Sequence, residues 1–217
     1  MKMKKLLMSF LAFSALSCQS QDTNENFAQV KEPIKMNMTE NSEIATFAGG
    51  CFWCTEAVFL ELKGVEKVLP GYIGGTVKNP AYREVSNGTT GHAEAIQITF
   101  NPKLISYGEL LEIFFATHDP TTLNRQGNDV GTQYRSEVFY YNEEQKKLTE
   151  DYIGLMTLEK TFKNPIVTKV SPASIFYEAE DYHQNYYNLN KTQSYCTYVI
   201  TPKIEKLKKN YTEKLKN

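Results

Sequence analysis

The chain has 217 residues, 41% of them hydrophobic and 23% charged, with Lys+Arg 24 against Asp+Glu 25. That is enough for a real core, and it excludes a fibrous chain, a wholly disordered one and a disulfide-dense miniprotein. A net charge of −1 gives no electrostatic case for binding nucleic acid.

Lys2, Lys4 and Lys5 precede a short apolar stretch from Leu6 to Leu16. This is a secretory signal pattern, too short for an ordinary bilayer anchor. Cys18 follows Ala15-Leu16-Ser17, a small-residue run before cysteine that resembles a bacterial lipoprotein signal. The expectations are a signal peptide over residues 1–17, lipidation at Cys18 and an exported, membrane-anchored protein facing the periplasm or cell exterior. Residues 18–42 are polar and without strong periodicity, which reads as a flexible tether.

A strand is predicted over Glu43–Ala48, broken by Gly49-Gly50, with a helix over Phe52–Lys63 stopping at Gly64. Cys51 therefore sits at a strand-to-helix turn, where helix polarity and the nearby Cys54 predict an acidified, reactive thiol. The Cys51-x-x-Cys54 spacing also suits zinc, but no second pair completes such a site and His92, His118 and His183 form no finger pattern.

A second strand is expected over Val65–Ile73, then a loop from Thr76 to Gly91, then a strand over His92–Phe100. Alternation puts His92, Glu94, Ile96, Ile98 and Phe100 on one face and Ala93, Ala95, Gln97 and Thr99 on the other. Glu94 thus shares the more apolar face, where burial would keep its carboxyl neutral and able to donate a proton, unless it lies past the sheet edge in water. Ser106 with Glu109 is a capping box for a helix through Thr117. Residues 118–134 read as a long functional loop.

Further on, the pattern predicts a strand over Arg135–Tyr141, a helix from Asn142 to about Lys160 and a strand over Ile166–Val170. A basic helix opens at Thr201-Pro202 and reads as a solvated face. Strands and helices intermingle without a strict repeat, which is an α+β chain with a central mixed sheet and packed helices. The domain boundaries are drawn at 43–205, with a helical tail over 206–217.

Four ordered segments then carry a resemblance. Gly49-Gly50-Cys51-Phe52-Trp53 followed by Glu56 resembles the signature of the A-type peptide methionine sulfoxide reductases. Gly91-His92-Ala93-Glu94, the run Gly127 to Ser136, and Ala179 to Gln184 resemble the family's other motifs. The resemblance implies a ferredoxin-like two-layer sandwich core and reduction of the S epimer of methionine sulfoxide, protein-bound and free, in protein repair.

It further implies Cys51 as nucleophile, Glu94 as acid, Tyr82 and Tyr134 as hydrogen-bond donors to the sulfoxide oxygen, and Asp129 as a polar neighbour. Phe52 and Trp53 would grip the S-methyl group, with no metal and no bound cofactor. Recycling would pass through an intramolecular disulfide to a thioredoxin-like dithiol, in a protein acting as a monomer. Many members of the family carry Gly where this chain has Cys54 and keep resolving cysteines near the C-terminus; here both Cys54 and Cys196 are present, and their order stays open. The Ala179–Gln184 motif and the Tyr186-Tyr187 pair read as packing. The alternatives are a thioredoxin-type thiol–disulfide oxidoreductase and a lipid-anchored redox-sensing module without turnover.

Overall fold

A computed structural model describes residues 42–216. The signal segment, Cys18 and most of the tether lie outside the described residues. The chain begins with β1 (Glu43–Gly49), α1 (Phe52–Leu60), β2 (Val65–Ile73), α2 (Tyr82–Ser86), β3 (Ala93–Phe100) and α3 (Tyr107–Thr117). A hairpin of β4 (Arg125–Gln126) and β5 (Asp129–Val130) leads to β6 (Ser136–Tyr140) and α4 (Glu143–Leu158). Then come β7 (Lys169–Pro172), β8 (Tyr177–Glu178), α5 (Tyr186–Leu189) and α6 (Thr201–Asn210).

Six strands form one sheet in the order β7-β6-β1-β3-β2-β8. The pairs from β6 to β8 are antiparallel and β6–β7 is parallel, so the sheet is mixed, as expected. The inner order β6-β1-β3-β2 is the split β-α-β arrangement: α1 links β1 to β2 across β3, and α3 links β3 to β6 across β1. Both crossover helices contribute to one core against the sheet, which gives the two-layer, ferredoxin-like sandwich.

The alternation expected for β3 holds. Ile96, Ile98 and Phe100 enter the helix-side core, whereas Ala93 and Ala95 pack with Ala48, Ile73 and Phe139 on the reverse face. Phe47 of β1 stacks on Phe114 of α3 at 4.9 Å and meets Phe59 of α1 at 5.8 Å, joining both helices to the sheet. On the reverse face Phe176 lies across β2, where a Cβ on Gly71 would come within 2.3 Å of its ring. The Ser106 capping box closes as expected: Glu109 N–H donates to Ser106 Oγ at 3.2 Å and Ser106 N–H to Glu109 Oε2 at 2.8 Å.

Several elements differ from expectation. The predicted loop over 76–91 contains α2, and the loop over 118–134 contains the β4–β5 hairpin and a 3₁₀ turn at Thr132–Tyr134. The strand expected at Ile166–Val170 lies at Lys169–Pro172, because Val167 N–H is taken by the Pro120 carbonyl at 2.8 Å instead of the sheet. The basic C-terminal helix is not solvated all round: Ile204 and Leu207 of α6 are buried in the core. The helix α6 runs through the 205/206 boundary drawn from the sequence. The tail beyond it returns to the end of α1, with Lys63 N–H on the Lys214 carbonyl and Lys216 N–H on the Glu61 carbonyl, both at 2.8 Å.

Because Phe47 is fully buried where both helices meet the sheet, Phe47→Ala should cost about 3–5 kcal/mol of stability. Urea unfolding should show a lower midpoint with little change in slope.

Candidate active site

Between β1 and α1 the chain turns at Gly50, whose φ of +95° and close approach to Gln126 (2.6 Å from an added Cβ) leave no room for a side chain. Cys51 follows as the N-cap of α1 and is buried. Glu94 reaches the same point from β3. It is 2% exposed, and its Oε2 accepts the Phe52 N–H at 3.1 Å. Burial pushes its carboxyl up to about 8, against the lowering effect of that hydrogen bond, with Asp129 and Cys54 adding to the rise. The group is therefore mostly neutral near pH 7.

The Cys51 thiol departs from expectation. The first free N–H of α1 serves Glu94, and burial, Cys54 and Glu94 all push the Cys51 thiol well above its usual value. Its neighbour is the more acidic of the pair. The hydrogen bond from Cys51, helped by the Lys203 ammonium, draws Cys54 down to about 7 despite its burial. The helix start thus stabilises the oxygen chemistry of Glu94 more than an isolated Cys51 thiolate.

Tyr82 and Tyr134 face this centre from α2 and the 3₁₀ turn. Burial raises both phenols, Tyr82 to about 12, and the charges of Glu94 and Cys51 add to the rise in each. Both stay protonated and able to donate. Tyr82 N–H donates to Glu180 Oε1 at 2.9 Å, and Glu180 Oε2 accepts the Tyr72 hydroxyl at 2.8 Å. Gln133 Nε2 donates to the Ser86 carbonyl at 2.8 Å, which ties the turn bearing Tyr134 to the helix bearing Tyr82. Asp129 accepts the Tyr195 hydroxyl at 2.8 Å, and that oxygen stands 3.7 Å from Cys54 Sγ.

Phe52 and Trp53 form an apolar wall. Trp53 lies flat on Tyr186, with ring centroids 3.7 Å apart and planes at 7°, and meets Tyr195 edge-on. Its indole N–H donates to His183 Nδ1 at 3.0 Å, so the His183 proton resides on Nε2. Burial lowers the pKa of His183, which keeps the ring neutral, and that ring also touches Phe52 and Tyr82. The Ala179–Gln184 motif does fix the chain by packing, but Glu180 and His183 also hold the site's side chains. Tyr186 belongs to the wall of the site.

The structure thus brings together Cys51, Cys54, Phe52, Trp53, Tyr82, Glu94, Asp129 and Tyr134. Tyr195, His183 and Tyr186 are additional members that the sequence reading had not assigned to the site. Cys196 is fully buried at the start of a π turn, Cys196–Ile200, where the charge of Cys54 adds to the rise that burial gives its thiol. All three cysteines among the described residues are free thiols. Among the described residues no group of three or more His, Cys, Asp or Glu could hold a metal ion.

The chain matches the peptide methionine sulfoxide reductase family over residues 43–215. It is 60% identical to the peptide methionine sulfoxide reductase MsrA of Deinococcus radiodurans over 174 residues, 80% of this chain and 84% of that protein. It is 56% identical to the MsrA of Saccharolobus solfataricus, covering 80% of this chain and 97% of that one. Among solved structures it resembles reduced Mxr1 from Saccharomyces cerevisiae, with a TM-score of 0.68, 32% identity, and coverage of 76% of this chain and 96% of that chain.

A buried carboxyl raised to about 8 favours folding most below its unfolded-state value, and that contribution is lost as pH rises through the folded value. Replacing Glu94 by Gln removes this dependence. Urea unfolding of Glu94→Gln against wild type, from acid to mildly alkaline pH, should show the variant gaining relative stability between roughly pH 4.5 and 8, by about 1.4 kcal/mol per pH unit.

Proposed function

The chain belongs to the peptide methionine sulfoxide reductase family and reduces methionine sulfoxide, and from that premise we propose how its own residues do so. The substrate is the S epimer, protein-bound or free. Phe52 and Trp53 receive the S-methyl group, where sulfur–aromatic contact is favourable. Tyr82 and Tyr134 donate hydrogen bonds to the sulfoxide oxygen. Cys51, on transferring its proton, attacks the sulfoxide sulfur, and Glu94 protonates the oxygen so that it can leave sulfur. Cys54, drawn down by a hydrogen bond from Cys51, takes the thiol proton.

In the resulting adduct the protonated oxygen passes from the substrate sulfur to the Cys51 sulfur as the bond between the two sulfurs breaks; methionine departs, reduced by two electrons, and Cys51 is left as a sulfenic acid. Cys54 then attacks the Cys51 sulfur; a Cys51–Cys54 disulfide forms and the oxygen leaves as water. Cys196 attacks Cys54 in turn, which frees Cys51 and moves the disulfide to Cys54–Cys196. A thioredoxin-like dithiol reduces that bond by exchange and is itself oxidised. Because Cys196 is fully buried, this last transfer requires the segment around its π turn to move. The observation that carries the reading is the neutral, buried Glu94 facing Cys51 from β3, with two protonated tyrosines around it.

We also propose that the protein is exported, lipidated at Cys18 and held at a membrane through the 18–42 tether, the domain acting as a monomer. The lysine-led apolar leader and the small residues before Cys18 support this reading. No helix among the described residues is long and apolar enough to cross a membrane. Cys18→Ser should move the protein from the detergent phase to the aqueous phase in a partition assay; unchanged partition would remove Cys18 as the anchor.

The kinetic test separates the thiols. Cys51→Ser should abolish reduction of methionine S-sulfoxide, and Glu94→Gln should slow the single-turnover rate by about 10²–10⁴. Cys54→Ser and Cys196→Ser should each still release one methionine per enzyme, yet lose multiple turnover with thioredoxin more than with dithiothreitol. A Cys196 that stays reduced in peptide maps of the oxidised wild type would leave Cys54 as the sole resolving thiol.

A further inference from the structure

Glu56 is a buried carboxyl group for which the reaction has no direct use; burial raises it to about 7 against the two backbone hydrogen bonds it accepts. It sits on α1 three residues after Trp53, so both side chains emerge on neighbouring parts of one helix surface. Its side chain is 1% exposed, and its two oxygens accept two successive backbone donors, Asn185 N–H at 2.6 Å and Tyr186 N–H at 3.2 Å. Two oxygens match two adjacent N–H groups at the start of α5, an arrangement that a single carbonyl oxygen meets less well.

The backbone that Glu56 holds is sharply turned. Asn185 has φ +53° and ψ +33°, in the left-handed region that non-glycine residues adopt at a cost. Immediately after it, Tyr186 lies flat against Trp53. The helix that carries Trp53 therefore also carries the group that docks the stacking partner of Trp53.

We propose that Glu56 is a positioning residue for substrate recognition: by clamping the Asn185–Tyr186 backbone onto α1, it fixes the Tyr186 ring on Trp53 and so sets the wall that receives the sulfoxide methyl group. The inference rests on the reading of Phe52 and Trp53 as the methyl pocket. Glu56 touches neither substrate nor the reacting sulfur and acts through Tyr186.

The test uses the full chain and its single tryptophan, so that fluorescence reports Trp53 alone. Glu56→Met keeps the side chain's length and removes the acceptors. It should shift Trp53 emission, raise its quenching by acrylamide, and raise KM for a methionine S-sulfoxide peptide roughly tenfold, with kcat changed much less. Glu56→Gln, which keeps one acceptor oxygen, should fall between Glu56→Met and wild type.

Tyr186→Ala should reproduce the emission and KM changes, and adding Glu56→Met to it should change little more. Unaltered Trp53 emission in Glu56→Met, a Glu56→Gln variant as impaired as Glu56→Met, or fully additive effects in the double variant would each overturn the proposal. The fluorescence cycle needs no turnover. Failure of the wild type to reduce the peptide would therefore count against the enzymatic reading, whereas failure of the cycle counts against Glu56.

Discussion

The hydrogen bond from Phe52 N–H to Glu94 is the contact on which the rest of the site depends. It joins the first turn of α1 to the middle of the sheet. It satisfies a donor that every helix start leaves free, and it does so with a carboxyl group removed from water. One backbone amide is too little to hold a full negative charge there, so the carboxyl keeps its proton near neutrality. The same geometry places the Cys51 thiol beside that acid and denies it the helix-start donor that would otherwise favour its thiolate. An acid and a reluctant nucleophile at one point suit a reaction in which oxygen must be protonated while sulfur is attacked.

Around that point the protein spends its polar groups on orientation. Glu180 holds Tyr82 through the backbone and Tyr72 through its hydroxyl. Gln133 links the Tyr134 turn to α2, and Asp129 receives Tyr195, whose oxygen lies near Cys54. His183 accepts from the Trp53 indole and fills the space between Phe52 and Tyr82. Each of these contacts joins segments far apart in the chain, so the pocket is a product of the whole domain more than of the Cys51 turn.

That distance explains what could be read from the sequence. Local rules were enough for the Ser106 cap, the strand-to-helix turn at Cys51 and the face of β3 that carries Glu94, because each depends on spacing within a few residues. They were not enough for α2 or the β4–β5 hairpin, where short polar segments are shaped by contacts from elsewhere. The indole of Trp53 and the ring of His183 are separated by 130 residues, and no periodicity in either segment announces the bond. The acidity of Cys51 was misread for a related reason: helix polarity is a local feature, whereas the buried carboxyl that takes its place comes from another strand. The resemblance in four ordered motifs supplied the residue set that local spacing could not.

The contact between the tail and α1 has a consequence for the order in which the molecule is made. The helix that carries both Cys51 and Cys54 is held at one end by Glu94 and, in the turn after Leu60, by the Lys63 N–H on the Lys214 carbonyl and the Lys216 N–H on the Glu61 carbonyl. During ribosomal synthesis the thiols emerge early, and the second restraint on their helix becomes available only when residues 214–216 follow. Until then the two sulfurs ride on a helix restrained at one end only. Docking of residues 214–216, and not closure of the sheet alone, completes the restraint on the helix that carries them.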